Sequence, residues 1–317
     1  MSSTRIFDES KGYDPITSLG TFTDCTVVKR ENRWWMFGSG FDKTVPDLNV
    51  FSASLPENAP LSATGWKITT ESNNPAKAVA IAGKSASYKW DGVGGRHCPS
   101  YVRGYDPVKK AWVERIYYAG ASQNFWGPYA IGYLEWDGGR WIEQPQSAFI
   151  ANEEWEHGSV YEPNLIFHEG KWRMWYVAGS NDEDYLVQGY AESPNGQTEW
   201  SKHEIFFAAQ EKVFDFCVTE TKTGFEAVFS RVNVKGRTDL PKTGLWWCQA
   251  KKPSAKVSDW SEPIRVWPAG PWKPVLRYSE TDSGKMLIFC NGIVINYANK
   301  DSPFGFTVDC IETSRPA

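Results

Sequence analysis

The chain has 317 residues, 41% hydrophobic and 23% charged, a globular balance that excludes a disordered polymer. Its net charge of −4, without any cluster of lysines and arginines, excludes the basic stripe that nucleic-acid binding needs. No apolar run is long enough to span a bilayer, and the opening MSSTRIFDE lacks the core of a secretory signal, so the expectation is a soluble, cytoplasmic protein. Aromatic residues are abundant, with 17 Trp, 14 Tyr and 17 Phe, and such side chains suit pleated, half-buried surfaces.

Read in chain order, a short apolar strand with a polar residue at its front is followed five times by a turn and an aromatic-rich strand. Unit one (21–70) has strands expected near 24–28, 33–38, 48–54 and 66–69, opening on Asp24 in DCTVV. Unit two (97–145) has 99–103, 112–119, 129–135 and 140–143, with its front read at Pro99. Unit three (160–207) has 163–167, 171–178, 186–192 and 200–207, opening on Glu162 in EPNLIF. Unit four (213–267) has 216–219, 225–231, 244–250 and 260–267, opening on Asp215 in DFCVT. Unit five (272–311) has 274–278, 285–290, 293–297 and 306–311, opening on Lys273 in KPVL.

Four short strands joined by DG and NG turns make an antiparallel blade, and no stretch carries a capped 3.6-residue helical period. A repeat of this length predicts a ring: an all-β, five-bladed β-propeller forming one domain over 1–317, with a central cleft. A tryptophan in the fourth strand of each of the first four units is expected to pack between blades. Connections 39–47, 70–98, 121–128, 150–161, 179–185 and 232–243 are long for such a fold, and 70–98 and 150–161 are expected to overhang the cleft.

Closure of the ring would bring the unit fronts together, among them three carboxylates, Asp24, Glu162 and Asp215. Carboxylates crowded in a narrow cleft repel, so one pKa rises while another stays low, and an acid and a base arise from one residue type. Glycoside cleavage needs such a pair on either side of the scissile bond. Arg96, His97 and His157 lie on or beside the loops expected to overhang the cleft. Arg231, Trp272 and Lys273 are placed to touch substrate hydroxyls or anionic groups, and Trp126 to stack on a sugar ring. His168 reads as a turn residue and His203 as a surface strand residue. Six cysteines stand singly with no C-x-x-C pair, which fits buried free thiols, although Cys25, Cys98 and Cys217 lie near the fronts of three first strands. The expected metal set is none, no cofactor is implied, and an axial calcium ion has no support in the sequence. No P-loop, G-x-G-x-x-G, G-x-S-x-G or H-E-x-x-H occurs.

These segments resemble the five-bladed β-propeller glycosidases of glycoside hydrolase families 43 and 32. DCTVV resembles the D-P-x-V strand that carries the general base of family 43, with Cys25 for proline. HCPSYV at 97–102 resembles that family's blade-two W-A-P-D-V, EPNLIF its pKa-tuning D-P-S-L, and Asp215, nine positions before Gly224, stands where its acid would be. YEPNLIF at 161–167 also resembles the E-C-P-D-L acid motif of family 32, whose blade-one Asp is the nucleophile. The R-D-P motif of that family is replaced by Arg96, His97, Cys98 and Pro99. The first likeness implies inversion, with Asp24 activating water and Glu162 or Asp215 protonating the leaving oxygen. The second implies retention, with Asp24 attacking and Glu162 as the acid. A small glycoside is the partner implied. A propeller that binds a small ligand without turnover, and one recruited to non-hydrolytic acid/base chemistry on a non-sugar metabolite, are the other readings.

Overall fold

The protein is described here by a computed structural model covering residues 1–82, 90–92, 94–123, 127–179, 186–231, 243–269, 271–278, 285–295 and 304–316. Among these, regular structure is strand apart from four single 3-10 turns. β1 is Ser2–Asp8; blade one is β2 (Leu19–Arg30), β3 (Arg33–Asp42), β4 (Val45–Pro56) and β5 (Lys67–Ile68). A small hairpin of β6 (Thr70–Glu71) and β7 (Asn74–Ala78) follows. Blade two is β8 (Gly95–Asp106), β9 (Ala111–Ala121), β10 (Tyr129–Trp136) and β11 (Trp141–Glu143). Blade three is β12 (Val160–His168), β13 (Lys171–Ala178), β14 (Val187–Ser193) and β15 (Ser201–Lys202). Blade four is β16 (Val213–Thr221), β17 (Gly224–Arg231), β18 (Gly244–Ala250) and β19 (Ile264–Trp267). Blade five takes β20 (Trp272–Tyr278), β21 (Lys285–Ile295) and β22 (Phe304–Ser314), and β1 completes it in the order β1-β22-β21-β20.

The first strands of successive blades touch in a closed circuit, β2 on β8, β8 on β12, β12 on β16, β16 on β20 and β20 on β2. That circuit makes a five-bladed β-propeller of five four-stranded antiparallel sheets. Three sequence expectations need correcting. Unit five does not supply its own fourth strand: the expected strands 285–290 and 293–297 merge, over the described residues, into the single strand β21 (Lys285–Ile295), and the N-terminal strand β1 pairs with β22 from Ser2 opposite Glu312 to Asp8 opposite Thr307. The ring is therefore latched by pairing the start of the chain to its end, which satisfies an otherwise open sheet edge. The supposed loop 39–47 is mostly strand, the ends of β3 and β4, and 70–98 contains the β6–β7 hairpin.

The expected role of the fourth-strand tryptophans holds in each case, and always toward the preceding blade. Trp141 meets Phe37 at 5.6 Å, Trp200 meets Tyr117 at 6.4 Å, Trp260 meets Trp175 at 6.2 Å, and Trp66 meets Phe289 of blade five at 6.1 Å. Edge-on rings of this kind add to the burial of large apolar area, and truncating one costs about 3–5 kcal/mol. Packing between blades fixes the ring, and with it the distances across the axis.

Candidate active site

Each of the five inner strands breaks its ladder at the same place. The register shifts between Thr23 and Thr26, His97 and Ser100, Tyr161 and Asn164, Phe214 and Cys217, and Trp272 and Val275. Two residues bulge out of every strand, and the first of them has a left-handed backbone: Asp24 (φ 46°), Cys98 (φ 55°), Glu162 (φ 51°), Asp215 (φ 60°) and Lys273 (φ 49°). Left-handed non-glycine residues are uncommon, and Glu, Cys and Lys gain little from the local hydrogen bonds that help Asp. Five such bulges on one ring mark strain held at a site by the surrounding blades. The second bulge position is proline in three blades, Pro99, Pro163 and Pro274. Proline costs nothing there because the missing N–H lies where the ladder is already interrupted.

Cys98, Glu162, Asp215 and Lys273 form one contact group, which Asp24 joins through Ser39. Glu162, 6% exposed, is its centre: Oε2 pairs with Lys273 Nζ at 3.0 Å, Oε1 accepts from Cys98 Sγ at 2.7 Å, and its carboxyl shares a hydrogen bond with that of Asp215. The Lys273 backbone N–H donates to Asp215 Oδ2 at 2.8 Å. Asp24 Oδ1 accepts from Asn291 Nδ2 at 2.6 Å, and Trp272 and Ser39 also hydrogen-bond its carboxyl. The Ser39 hydroxyl accepts the Cys98 backbone N–H at 2.8 Å, so one serine joins the bulges of blades one and two. Asp215 and Lys273 are sealed from solvent at 0% and 1% exposure, while Asp24 keeps part of its surface open.

The three carboxylates differ in ionisation. Burial raises Glu162, but the Lys273 ammonium, the Cys98 thiol and the Asp215 carboxyl outweigh it and hold it below the usual carboxylate range, so it is the anion of the group. Burial and the Glu162 charge push Asp215 well above that range, and it carries the proton it shares with Glu162. Burial and the same charge push Asp24 up to about 7, against the pull of Lys273 and its hydrogen-bond donors. Lys273 is raised by Glu162 and Asp215 against its own burial and stays charged. His97 is pushed down to about 4, chiefly by burial, and is neutral. One anion and one cation already occupy the dry centre, and Asp215 answers by keeping its proton.

The residues immediately before the bulges are Thr23, His97, Tyr161, Phe214 and Trp272, four of the five with rings. Tyr161 packs at 5.2 Å from Tyr129 and 6.5 Å from Phe214, His97 at 4.8 Å from Tyr129, and Trp272 at 6.2 Å from Phe306. Polar heads at the bulge are thus collared by ring faces one residue earlier in four of the five strands.

Other expected residues fall differently. Arg96 is fully buried between blades, ion-paired to Asp91 at 3.4 Å and to Glu143 and bonded to Asn49 Oδ1 at 3.2 Å, so it ties blade one to blade two instead of meeting the cleft. Gly95 before it, at φ 70°, leaves no room for a Cβ, which would stand 2.2 Å from the Leu48 carbonyl oxygen. Arg231 pairs with Glu211 at 3.0 Å and lies over the Trp246 ring at 4.6 Å, on the strand end opposite Val213. His157 is an exposed left-handed cap of the 154–156 turn, and Trp126 lies outside the described residues. His168 sits within salt-bridge distance of Glu220, 3.5 Å, at the end of β12 remote from the bulge, beside the turn into β13. Of the three cysteines expected near first-strand fronts, Cys98 reaches the axial group, and Ser39 and Asn291 join it without any sequence signal. The signal for Cys98 was the X-Pro pair it shares with Glu162-Pro163 and Lys273-Pro274. No helix among the described residues is long and apolar enough to cross a membrane.

No family model matches the chain, and no curated protein matches it in sequence. Solved structures do match in shape. A family 117 glycoside hydrolase from the marine bacterium Zobellia galactanivorans superposes with a TM-score of 0.65 at 13% identity, over 98% of this chain and 89% of that one. The catalytic domain of a family 62 α-L-arabinofuranosidase from Coprinopsis cinerea gives 0.60 at 12% identity, over 100% and 98%. A thermostable family 43 glycoside hydrolase gives 0.55 at 12% identity, over 96% of each chain. At these identities the likeness is one of fold: the chain has the five-bladed β-propeller architecture of the glycoside hydrolases.

Proposed function

We propose that the protein cleaves a glycosidic bond at the ring axis, with Asp24, Glu162 and Asp215 as its working carboxylates. The observation that carries this reading is the division of ionisation among three carboxyls on equivalent bulges: one anionic, one protonated, one poised near neutral pH. Asp24 is the partly open member and meets the substrate as the group that takes or gives a proton, since a carboxyl titrating near the working pH serves both ways. Glu162 is the fixed charge that keeps Asp215 protonated, and Asp215 is the proton reserve. This allotment follows the family 43 pattern, base in blade one, tuner in blade three, acid in blade four, with the tuner and acid lengths exchanged. The aromatic collar of Tyr161, Phe214 and Trp272 supplies faces on which a sugar ring stacks. Trp272 also donates to Asp24, so stacking and proton transfer share one side chain.

The test is Asp24→Asn against a panel of small glycosides, with wild type alongside. Loss of general acid/base function costs about 10²–10⁴ in turnover, so the variant should fall by at least about a hundredfold while its melting temperature does not drop. Turnover equal to wild type would sink the assignment. A second reading, ligand binding without turnover, is favoured by the sealing of Asp215 and Lys273. Saturable binding of a glycoside that wild type never converts would establish it.

A further inference from the structure

The blade-two bulge brings a thiol, an imidazole and a carboxylate together. His97 Nδ1 lies 3.0 Å from Cys98 Sγ, and Cys98 Sγ lies 2.7 Å from Glu162 Oε1, with one donor atom from each residue inside a 4.8 Å circle. Cys98 and Glu162 are 2% and 6% exposed, and His97 is partly open. Two of the three side chains start from left-handed bulge residues on adjacent inner strands, and both backbones are bent so that the side chains converge. The glycosidase reading uses Glu162 as a charge and gives Cys98 no role.

We propose that His97, Cys98 and Glu162 form a three-donor site for a thiophilic divalent cation of the zinc class, with its fourth position facing the cleft. Thiolate, imidazole and carboxylate together select zinc-like ions over calcium or magnesium, which prefer all-oxygen shells. A tetrahedral ion with Zn–S of about 2.3 Å and Zn–N or Zn–O of about 2.0–2.1 Å needs its donors about 3.5 Å apart. The two pairs that share Cys98 Sγ are now in hydrogen-bond contact and open by roughly 0.5–1 Å as the ion replaces the thiol proton, while the His97 and Glu162 donors already lie within 4.8 Å of each other. That proton leaves to solvent, the Cys98 sulfur keeps the electron pair and bonds the metal, and no redox change occurs. Outer contacts are already in place. Lys273 holds the far oxygen of Glu162 at 3.0 Å, Ser39 holds the Cys98 backbone, and Tyr129 packs its ring edge-to-face on His97 at 4.8 Å. Lys273 also opposes the cation by charge, while the thiolate and Glu162 together carry two negative charges that offset it. An ion here would neutralise the charge that keeps Asp215 protonated, so metal and acid/base chemistry compete for Glu162.

Metal-stripped protein is titrated with Co²⁺ and followed by absorption, with bound metal counted by mass spectrometry and Zn²⁺ used as competitor. One equivalent should bind with a thiolate-to-cobalt charge-transfer band that Zn²⁺ abolishes. Cys98→Ser should lose the band, and His97→Ala, at a partly open position, should weaken binding at least tenfold. Should Cys98→Ser fail to fold, protection of Cys98 in wild type from alkylation by one equivalent of Zn²⁺, read by peptide mapping, decides the matter. Binding without the band, a band that survives Cys98→Ser, or alkylation of Cys98 unaffected by Zn²⁺ overturns the proposal. None of these readouts uses turnover, so failure of the glycosidase reading leaves the result intact.

Discussion

Lys273→Met isolates the charge that organises the axis. Methionine keeps the stem and the Cβ, so the left-handed strain at this bulge is unchanged, and the loss is the ammonium 3.0 Å from Glu162 Oε2. At that separation, with an effective dielectric of about 20, the attraction is roughly 5 kcal/mol. Removing one partner of a buried pair costs about 3–5 kcal/mol, because the other charge is left uncompensated. For 317 residues, at about 2.1 cal/mol/K per residue, this lowers the melting temperature by roughly 4–8 °C.

The loss should depend on pH. In wild type Glu162 is held below its ordinary value, so its stabilisation is present above the unfolded pKa and is lost only as pH falls through the lower folded value. Lys273, held above its ordinary value, is lost only in strong alkali. Without the ammonium, burial drives Glu162 upward and the sign reverses: the variant loses stability as pH rises from about 4 toward 7. Calorimetry at about pH 4 and pH 8 should show a narrow gap from wild type at the lower value and a wide one at the higher. A gap of the same size at both, or none, would refute the placement of charge at the axis.

Asp24→Asn should show a related dependence without loss of fold. Because the folded carboxyl is held near 7 while the unfolded chain ionises near 4, wild type loses stability as pH rises through that window, so the variant should melt above wild type at pH 8 and level with it at pH 4. Equal melting temperatures at both pH values would show that the carboxyl is not held protonated. Deleting Ser2–Asp8 should remove the outer strand of blade five and bare the β22 edge. Size-exclusion chromatography should then show self-association and calorimetry a lower melting temperature; a monomer with wild-type melting would mean that the latch is dispensable.

The five fronts were legible because a bulge at the head of an inner strand admits polar residues that no apolar strand would otherwise tolerate. Asp24, Glu162, Asp215 and Lys273 stood out for that reason. Blade two was read one residue late, at Pro99, because Cys98 looks like any small buried residue of an apolar strand. The N-terminal strand was missed because Ser-Ser-Thr-Arg-Ile-Phe-Asp alternates weakly, and its burial depends on a partner three hundred residues away. The break expected between 290 and 293 fell on Asn291-Gly292, a hairpin-turn dipeptide. Tertiary context overrides it: Asn291 stays in the ladder opposite Val308 and spends its amide on Asp24. Arg96, two residues before the bulge head Cys98, turns between blades, where Asp91, Glu143 and Asn49 occupy it, and nothing local in the sequence marks that turn.

Because each bulge lifts two residues out of the hydrogen-bonded ladder, the residue at its head takes no part in setting strand register, which is fixed by the pairs on either side. Axial chemistry and ring geometry can therefore change on independent clocks. A lineage can swap an aspartate for a cysteine, or a neutral group for a lysine, in one substitution without rebuilding a blade. The same independence lets a chain 12–13% identical to propellers of known shape keep their outline.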